Sequence, residues 1–441
     1  MLVGVYFNNF KSFNEMTKLE MIASPKLRMQ REQLHTTRSM SLLKKVAIYG
    51  ANASGKSNFV DVLQFMKDCV CNQEIPVESY NWYCRNHSKN RYYSKNKDQV
   101  SSFAVRLLIG KDCYEYGFDV LLNAKKIANE WITHINKNKV LYERNNEGNP
   151  VCNLKLNKEE EKRMNVYMAD FSSNDKSLFL SEMNHNKHFN EDSPLNIFHD
   201  IYDWFMHDLK IISPDVPSLN DYNEDSFMDI RRLFNCFILE EDDIESIEFK
   251  DVSETQVINK IGISLYKDIV RKSHENDLYL RIQKDLFVFT KEGNIKSVWF
   301  KHYNGSVFEF NEESEGTRRL FDLLNVFLYK NRNKTYIIDE IDKSLHPNML
   351  NRIIESLSLH QKRFDVQAIF TVHQTEIMKQ EIFRRDQIWF VDKNIDGDSR
   401  MYFLDGFHER FDKVISKAYL EGKYGATPKF PILNIDTALW Y

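Results

Sequence analysis

Gly50, Gly55, Lys56 and Ser57 stand at the spacing G-x-x-x-x-G-K-S, within Gly50-Ala51-Asn52-Ala53-Ser54-Gly55-Lys56-Ser57. Glycines at both ends let successive backbone N–H groups curl around a polyphosphate, and the lysine and hydroxyl that follow suit a phosphate oxygen and Mg²⁺. Val46 to Tyr49 form a short apolar run in front, and Phe59, Val62, Leu63 and Met66 recur behind at helical spacing. The segment is therefore expected to run strand, loop, helix, with the helix N-terminus adding positive dipole at the phosphates. In this reading Lys56 reaches the β and γ phosphates of ATP and Ser57 binds Mg²⁺. Gly50, Asn52, Ala53, Ser54, Gly55 and Asn58 belong to the same cradle. An ordinary glycine turn would leave the flanking strand and helix without a reason.

A second group of residues fits the same chemistry. Thr335 to Ile338 is an apolar strand ending in Asp339 and Glu340. Acids at the C-terminal end of a parallel strand face a ligand crevice, where Asp339 can hold Mg²⁺ and Glu340 can polarise an attacking water. Paired acids at a solvated strand end are common, so the pair gains its meaning from the glycine loop. Glu313-Ser314-Glu315-Gly316-Thr317 opens a helix carrying Leu320, Leu323, Leu324 and Phe327, and Ile369 to Val372 is a strand ending in His373. Taken singly, Ser314 reads equally well as a helix cap and His373 as a plain strand-end residue. No Asn-Lys-x-Asp guanine motif occurs, which favours ATP over GTP.

The order of these pieces resembles the ABC-type ATPases. The resemblance implies that Ser314 and Gly316 of one subunit contact the γ-phosphate held by the other, and that His373 senses that phosphate within its own subunit. It also places Asp342 and the following Ser344-Leu345-His346 at a dimer interface. Glu313, Glu315 and Thr317 depart from the transporter form and look like the RecF, SMC and OLD branch. Asn9-Phe10-Lys11-Ser12-Phe13 resembles the start of that branch, which makes Lys11 a candidate phosphate contact beside the plainer reading of a solvated turn lysine. The glutamine that usually bridges Mg²⁺ and water is not placed, since Gln99 precedes its strand.

The elements that must position these residues suggest an α/β fold, a P-loop ABC-type ATPase head of two lobes, with a mixed sheet plus a parallel sheet. Leu2 to Phe7 and Phe13 to Met21 read as paired strands, followed by basic, helix-compatible sequence to Lys45. Phe103 to Ile109, Tyr114 to Leu121 and Ile127 to Ile135 read as an antiparallel sheet. The expected division is an N-lobe over 1–153, a helical insert over 154–243, and a C-lobe over 244–441, in which strands resume near Ile244 and about the last 130 residues alternate helix with strand. No heptad pattern persists, so no long coiled coil is expected.

At 441 residues the chain exceeds a typical single domain. Lys plus Arg at 60 against Asp plus Glu at 64 leaves a formal charge of -4, which supplies no global pull on nucleic acid. The N-terminus lacks the pattern of a signal peptide, and no run of 18 apolar residues offers a spanning helix. Cys69, Cys71, Cys84, Cys113, Cys152 and Cys236 lack Cys-x-x-Cys pairs and read as reduced thiols, so a cytoplasmic protein with no membrane partner is expected. His185 and His188 lack companion ligands for a metal. Arg85 to Lys97, with Tyr92 and Tyr93, offers a basic surface, and Glu240 to Asp243 with Glu245 an acidic one. Both read more simply as solvated faces.

Ala418-Tyr419-Leu420-Glu421-Gly422-Lys423-Tyr424-Gly425-Ala426-Thr427-Pro428 resembles the C-terminal motif of the AbiLi-like abortive-infection ATPases. Asn9 to Phe13, Glu313 to Thr317 and Asp339 to Pro347 share that likeness, and the insert does not. The group includes the ATPase subunit of the PARIS phage-defence system. The resemblance implies an ATP-hydrolysing sensor or regulator, assembled as an ATP-sandwiched homodimer or larger oligomer, that answers a phage-encoded trigger and controls a separate effector such as a Toprim nuclease. OLD nucleases carry a Toprim domain after the histidine strand. Only 68 residues follow His373 here, and Asp396-Gly397-Asp398 reads as a hairpin turn, so no nuclease activity of its own is expected. The rival reading is a RecF- or SMC-like DNA-repair ATPase that binds DNA directly.

Overall fold

The computed structural model describes residues 1–27, 29–71, 99–122, 124–145, 150–214, 218–221, 224–237, 244–274, 277–328, 333–407 and 414–428. The basic stretch Arg85 to Lys97 and the acidic residues Glu240 to Asp243 lie outside them. The chain forms two compact units: Met1–Leu209 with Gln367–Tyr441, and Lys210–Val366.

The first unit opens on β1 (Leu2–Phe7), which pairs antiparallel with β2 (Thr17–Glu20). The chain from Ile22 to Lys45 forms no long helix. It makes a short 3-10 turn at Arg31–Gln33 and the hairpin of β3 (Leu34–Thr36) and β4 (Ser41–Leu43). Thr37 explains the difference, because its hydroxyl accepts from Met40 N at 3.2 Å and so offers the backbone a turn in place of a helix. Next come β5 (Lys45–Tyr49), buried throughout, and α1 (Lys56–Cys71). Then β6 (Ser101–Ile109), β7 (Asp112–Leu121), β8 (Lys126–His134), β9 (Lys139–Asn145) and β10 (Val151–Cys152) complete a seven-stranded sheet in the order β10-β9-β8-β7-β6-β1-β2. Its neighbours are antiparallel, as the alternating pattern predicts.

The helices α2 (Lys158–Phe171), α3 (Phe179–Met183) and α4 (Asn196–Asp203) belong to this unit. They pack on the sheet instead of standing apart as an insert ending near 243. Tyr142 of β9 stacks on Phe179 at 4.8 Å. Glu130 of β8, fully buried, accepts from Phe179 N at 2.7 Å and Leu180 N at 2.9 Å, so a strand carboxylate caps a helix of the next segment. Composition reports local helix propensity, but these long-range contacts decide which core a helix joins.

The second unit follows from β11 (Leu209–Ile212) and contains β12 (Ser218–Asp221), α5 (Glu224–Asn235), β13 (Ile244–Asp251), α6 (Glu254–Ile261) and α7 (Ile263–Ser273). It continues with β14 (Leu278–Ile282), β15 (Asp285–Phe289), β16 (Ile295–His302) and β17 (Val307–Glu309). These make a second antiparallel sheet in the order β12-β14-β15-β16-β13, with β17 on β16. Its core gathers Val257, Ile269, Leu280, Phe287, Phe289 and Ile295. Then α8 (Glu315–Leu328), β18 (Thr335–Ile338) and α9 (Pro347–Arg363) supply the expected alternation, and Asp339 N bonds Ile212 O at 2.9 Å beside β11.

The chain returns to the first unit with β19 (Gln367–Thr371), β20 (Ile388–Lys393), β21 (Ser399–Phe403) and α10 (Ile415–Leu420). β5 lies parallel between β19 and β20, and β21 closes the edge antiparallel to β20. Buried parallel strands need apolar side chains on both faces, which is why Val46 to Tyr49 and Ile369 to Val372 carry no alternation. The described helices include no long coiled coil, and none is long and apolar enough to cross a membrane.

Candidate functional site

In the first unit the chain leaves β5 at Gly50, loops through Ala51–Gly55 and enters α1 at Lys56. A Cβ on Gly50 would lie 2.5 Å from the Val391 carbonyl oxygen and 2.6 Å from Ser54 Oγ, so no side chain fits. Gly55 has φ 116°, and its Cβ would lie 2.5 Å from Ser399 Oγ and 2.8 Å from Ser12 Oγ. Ala53 also takes a left-handed φ of 60°. The loop is thus bent into a shape that requires glycine at positions 50 and 55 and costs backbone strain at Ala53.

Two serines remote in sequence hold that shape. Ser399 Oγ donates to Ser54 O at 2.5 Å, and Ser399 N to Ser12 O at 2.7 Å. Asn58 Nδ2 donates to Ser12 Oγ at 2.6 Å, so the first turn of α1 is tied to the same serine. Lys56 is buried, with Nζ donating to Gly50 O at 2.8 Å and Ala51 O at 3.0 Å. Asn52, Ala53 and Ser57 are exposed at the loop and helix start. Lys11 is buried and its ammonium pairs with Asp61 of α1, so it is not the solvated turn lysine of the plainer reading. Gln99 contributes its carbonyl, which accepts from Asn9 Nδ2 at 3.2 Å.

A cavity of about 1010 Å³ opens over this loop. Gly50 to Ser54 form its floor, and exposed His373, just beyond β19, stands on one flank. The structure therefore brings the glycine loop and the histidine together. Tyr419 to Gly422, Thr427 and Pro428 border the same space, a contribution the sequence did not reveal.

The second unit holds the strand-end acids and the helix behind Ser314. Ser314 Oγ accepts from Thr317 N at 3.0 Å, so it caps α8 while remaining exposed. Glu313 is buried against His302, whose Nε2 lies 2.8 Å from its carboxylate. A Cβ on Gly316 would come within 3.0 Å of Ser344 O, so the first turn of α8 packs against the loop after β18. In that loop Asp339 and Asp342 are buried, while Glu340 is half-buried with φ 47°. Glu340 Oε2 lies 3.7 Å from Lys343 Nζ. His346 caps α9, Nδ1 accepting from Asn348 N at 3.2 Å.

Arg319 of α8 was invisible as a site residue. It is buried and donates through Nη2 to Asp339 O at 2.6 Å and Glu340 O at 2.9 Å. Burial pushes its pKa down, opposed by the carboxylates of Asp322, Asp339, Glu340 and Asp342. Its only outward sign in the sequence was a basic residue at an apolar register position of α8.

The family model described as "AAA domain, putative AbiEii toxin, Type IV TA system" matches residues 45–379. No curated protein matches the chain. Among solved structures, an SMC head bound to the C-winged helix domain of ScpA is 13% identical, covering 91% of this chain and 97% of that one at a TM-score of 0.43. The SMC head domain with a coiled coil and joint derived from Pyrococcus yayanosii is 11% identical, covering 91% and 96% at a TM-score of 0.44. The SMC head domain from Thermotoga maritima is 12% identical, covering 91% and 98% at 0.34.

Proposed function

The chain belongs to that family of AAA domains, and from this membership we propose that it binds Mg-ATP at Gly50 to Ser57 and hydrolyses it in a site completed by a second copy of itself. The observation that carries the reading is the loop in which Gly50 and Gly55 admit no side chain and lead into the N-terminus of α1. Such a terminus presents unsatisfied N–H groups and positive dipole to a phosphate. Lys56 would leave the loop carbonyls for the β and γ phosphates. Ser57 and Asp339 would hold Mg²⁺, which when bound neutralises phosphate charge.

Glu340 would accept the proton of the attacking water, and His373 would hydrogen-bond a phosphate oxygen at the flank of the loop. Ser314 and Gly316 of the second copy, with Asp342 in the interface loop, would meet the γ-phosphate. The exposed Ser314 hydroxyl at a helix N-terminus supports that role.

At the level of biology, the reading is a sensor or regulator ATPase of a bacterial anti-phage system, of the AbiLi-like kind to which the PARIS ATPase belongs. It would answer a phage-encoded trigger and control a separate effector, such as a Toprim nuclease, in the cytoplasm. The test is expression with and without the neighbouring gene in phage-challenged cells, alongside Mg-ATP turnover by the purified chain. Protection that requires both genes and an intact Lys56 is expected. Protection by this chain alone would sink the two-component reading, and strong salt-dependent binding of DNA would favour a repair ATPase.

A further inference from the structure

The cavity over the glycine loop differs chemically on its two sides. β19 and β20 flank β5, so His373 beyond β19 and Asp392 at the end of β20 stand on opposite sides of the loop. The β19 side presents the polar His373 and Thr375. The β20 side presents Leu420, Gly422 and Pro428, with the carboxylates of Asp392 and Glu421 and a single cation, Lys393. A polyphosphate is repelled by the two carboxylates, whereas a flat heterocycle and ribose hydroxyls suit an apolar surface edged by acceptors.

The wall is built rather than incidental. Phe390 of β20 stacks on Tyr419 at 5.5 Å and on Tyr424 at 5.6 Å, and Tyr49 at the end of β5 lies 6.0 Å from Tyr419. Tyr419 donates its hydroxyl to Ala426 O at 2.9 Å, and Tyr402 donates to Tyr424 O at 2.8 Å. The turn passes through left-handed φ at Gly422 (78°), Gly425 (69°) and Ala426 (56°). A Cβ on Gly425 would sit 2.8 Å from the Tyr402 hydroxyl. This many constraints fix Leu420 on the rim with 66% of its surface exposed, beside a buried Tyr419. A lone exposed leucine is ordinary, but this one faces a cavity and is held there by a specified turn.

We propose that Tyr419 to Pro428 is the nucleoside subsite, with Leu420 packing on the base and the Glu421 carboxylate accepting from ribose hydroxyls. The proposal rests on nucleotide binding at Gly50 to Ser57 and adds the residues that separate a nucleotide from a bare polyphosphate. The segment lies beyond the residues of the family match.

The experiment measures dissociation constants of the full chain for Mg-ATP and for inorganic tripolyphosphate, in the wild type, Leu420→Met and Leu420→Ala. Leu420→Ala is expected to weaken ATP by about tenfold or more, the loss of one buried aliphatic contact, while tripolyphosphate stays within about twofold because no charge has changed. Leu420→Met should keep ATP affinity near wild type. Unchanged ATP affinity in Leu420→Ala, or equal losses for both ligands at an unchanged melting temperature, would overturn the subsite. A wild type that binds neither ligand would overturn the nucleotide reading beneath it.

Discussion

Arg319 donates a hydrogen bond of 2.6 Å to the main-chain carbonyl of Asp339, so the helix capped by Ser314 is fastened to the strand-end acids through one buried guanidinium. The second bond, to Glu340 O at 2.9 Å, holds the left-handed backbone of the neighbouring acid. Arg319→Ala removes both bonds and leaves a buried carbonyl short of a donor. A loss of about 1–3 kcal/mol in unfolding free energy is expected, read from the denaturant midpoint. Turnover should fall further than ATP affinity, because the acids lose their orientation. Wild-type turnover in this variant would show that the bond is only structural.

Lys56→Ala should abolish ATP turnover without unfolding the chain. The lysine is buried, and its ammonium donates to the carbonyls of its own loop, Gly50 O and Ala51 O. Truncation leaves those carbonyls beside an open cavity, where water can replace the ammonium. Loss of turnover with a melting temperature close to wild type is the expected pair of readings. Unimpaired turnover would remove the phosphate role.

The glycine loop was legible because its chemistry is local. Gly50, Gly55 and Lys56 act through their own backbone and one side chain, so spacing alone carries the signal. What braces the loop was not legible, since Ser12 and Ser399 join it from 387 residues apart and a serine in a turn looks like any other. The β14 to β16 meander was read only as resumed strands; it pairs between chain neighbours, while β12 and β13 join its edges from much earlier in the chain. Composition placed a helical segment where α2 to α4 lie, but Glu130 and Tyr142, both on strands, decide which sheet those helices join. Arg319 shows the same limit: an arginine among leucines on a helix gives no hint that its partners are carbonyls twenty residues away.

Glu130→Ala should destabilise the first unit by roughly 3–5 kcal/mol, the usual result of removing one partner of a buried charge pair. Its carboxylate accepts from Arg144 Nη2 at 3.3 Å, Tyr116 Oη at 3.1 Å and the two N–H groups that open α3. The variant leaves a buried guanidinium with carbonyl acceptors at Asn174 and Ser177 but without this carboxylate, and uncaps a helix as well. Chemical denaturation monitored by circular dichroism would measure it, and a loss below about 1 kcal/mol would mean that burial had already offset the pair.

Asp396→Ala should change neither stability beyond about 0.5 kcal/mol nor turnover. Asp396 is exposed in the turn from β20 to β21, where Asn394 N donates to Asp398 O at 2.9 Å and Gly397 takes φ 91°. That geometry explains the Asp-Gly-Asp sequence as turn chemistry. Metal-dependent cleavage of DNA or RNA by the wild type, lost in this variant, would contradict it.

Glu340→Gln should retain ATP while slowing hydrolysis by about a hundredfold or more, since the amide keeps the shape of the side chain but cannot take a proton. The variant is informative because the backbone at this position is already left-handed, with φ 47°, and its carbonyl accepts from Arg319, a bond the change leaves in place. Glu340 Oε2 lies 3.7 Å from Lys343 Nζ, and a pair this long and this solvated contributes little to the fold. Stability should therefore change little, and any kinetic loss reports chemistry. If Ser314 and Gly316 of one copy dock on the γ-phosphate of another, unhydrolysed ATP keeps both sites closed, and the dimer accumulates by mass action. Light scattering under saturating Mg-ATP is expected to give twice the monomer mass for Glu340→Gln, and the additional change Ser314→Arg should return it to a monomer by blocking the docking surface. A Glu340→Gln chain that binds ATP tightly yet stays monomeric would place the whole hydrolytic site within one copy.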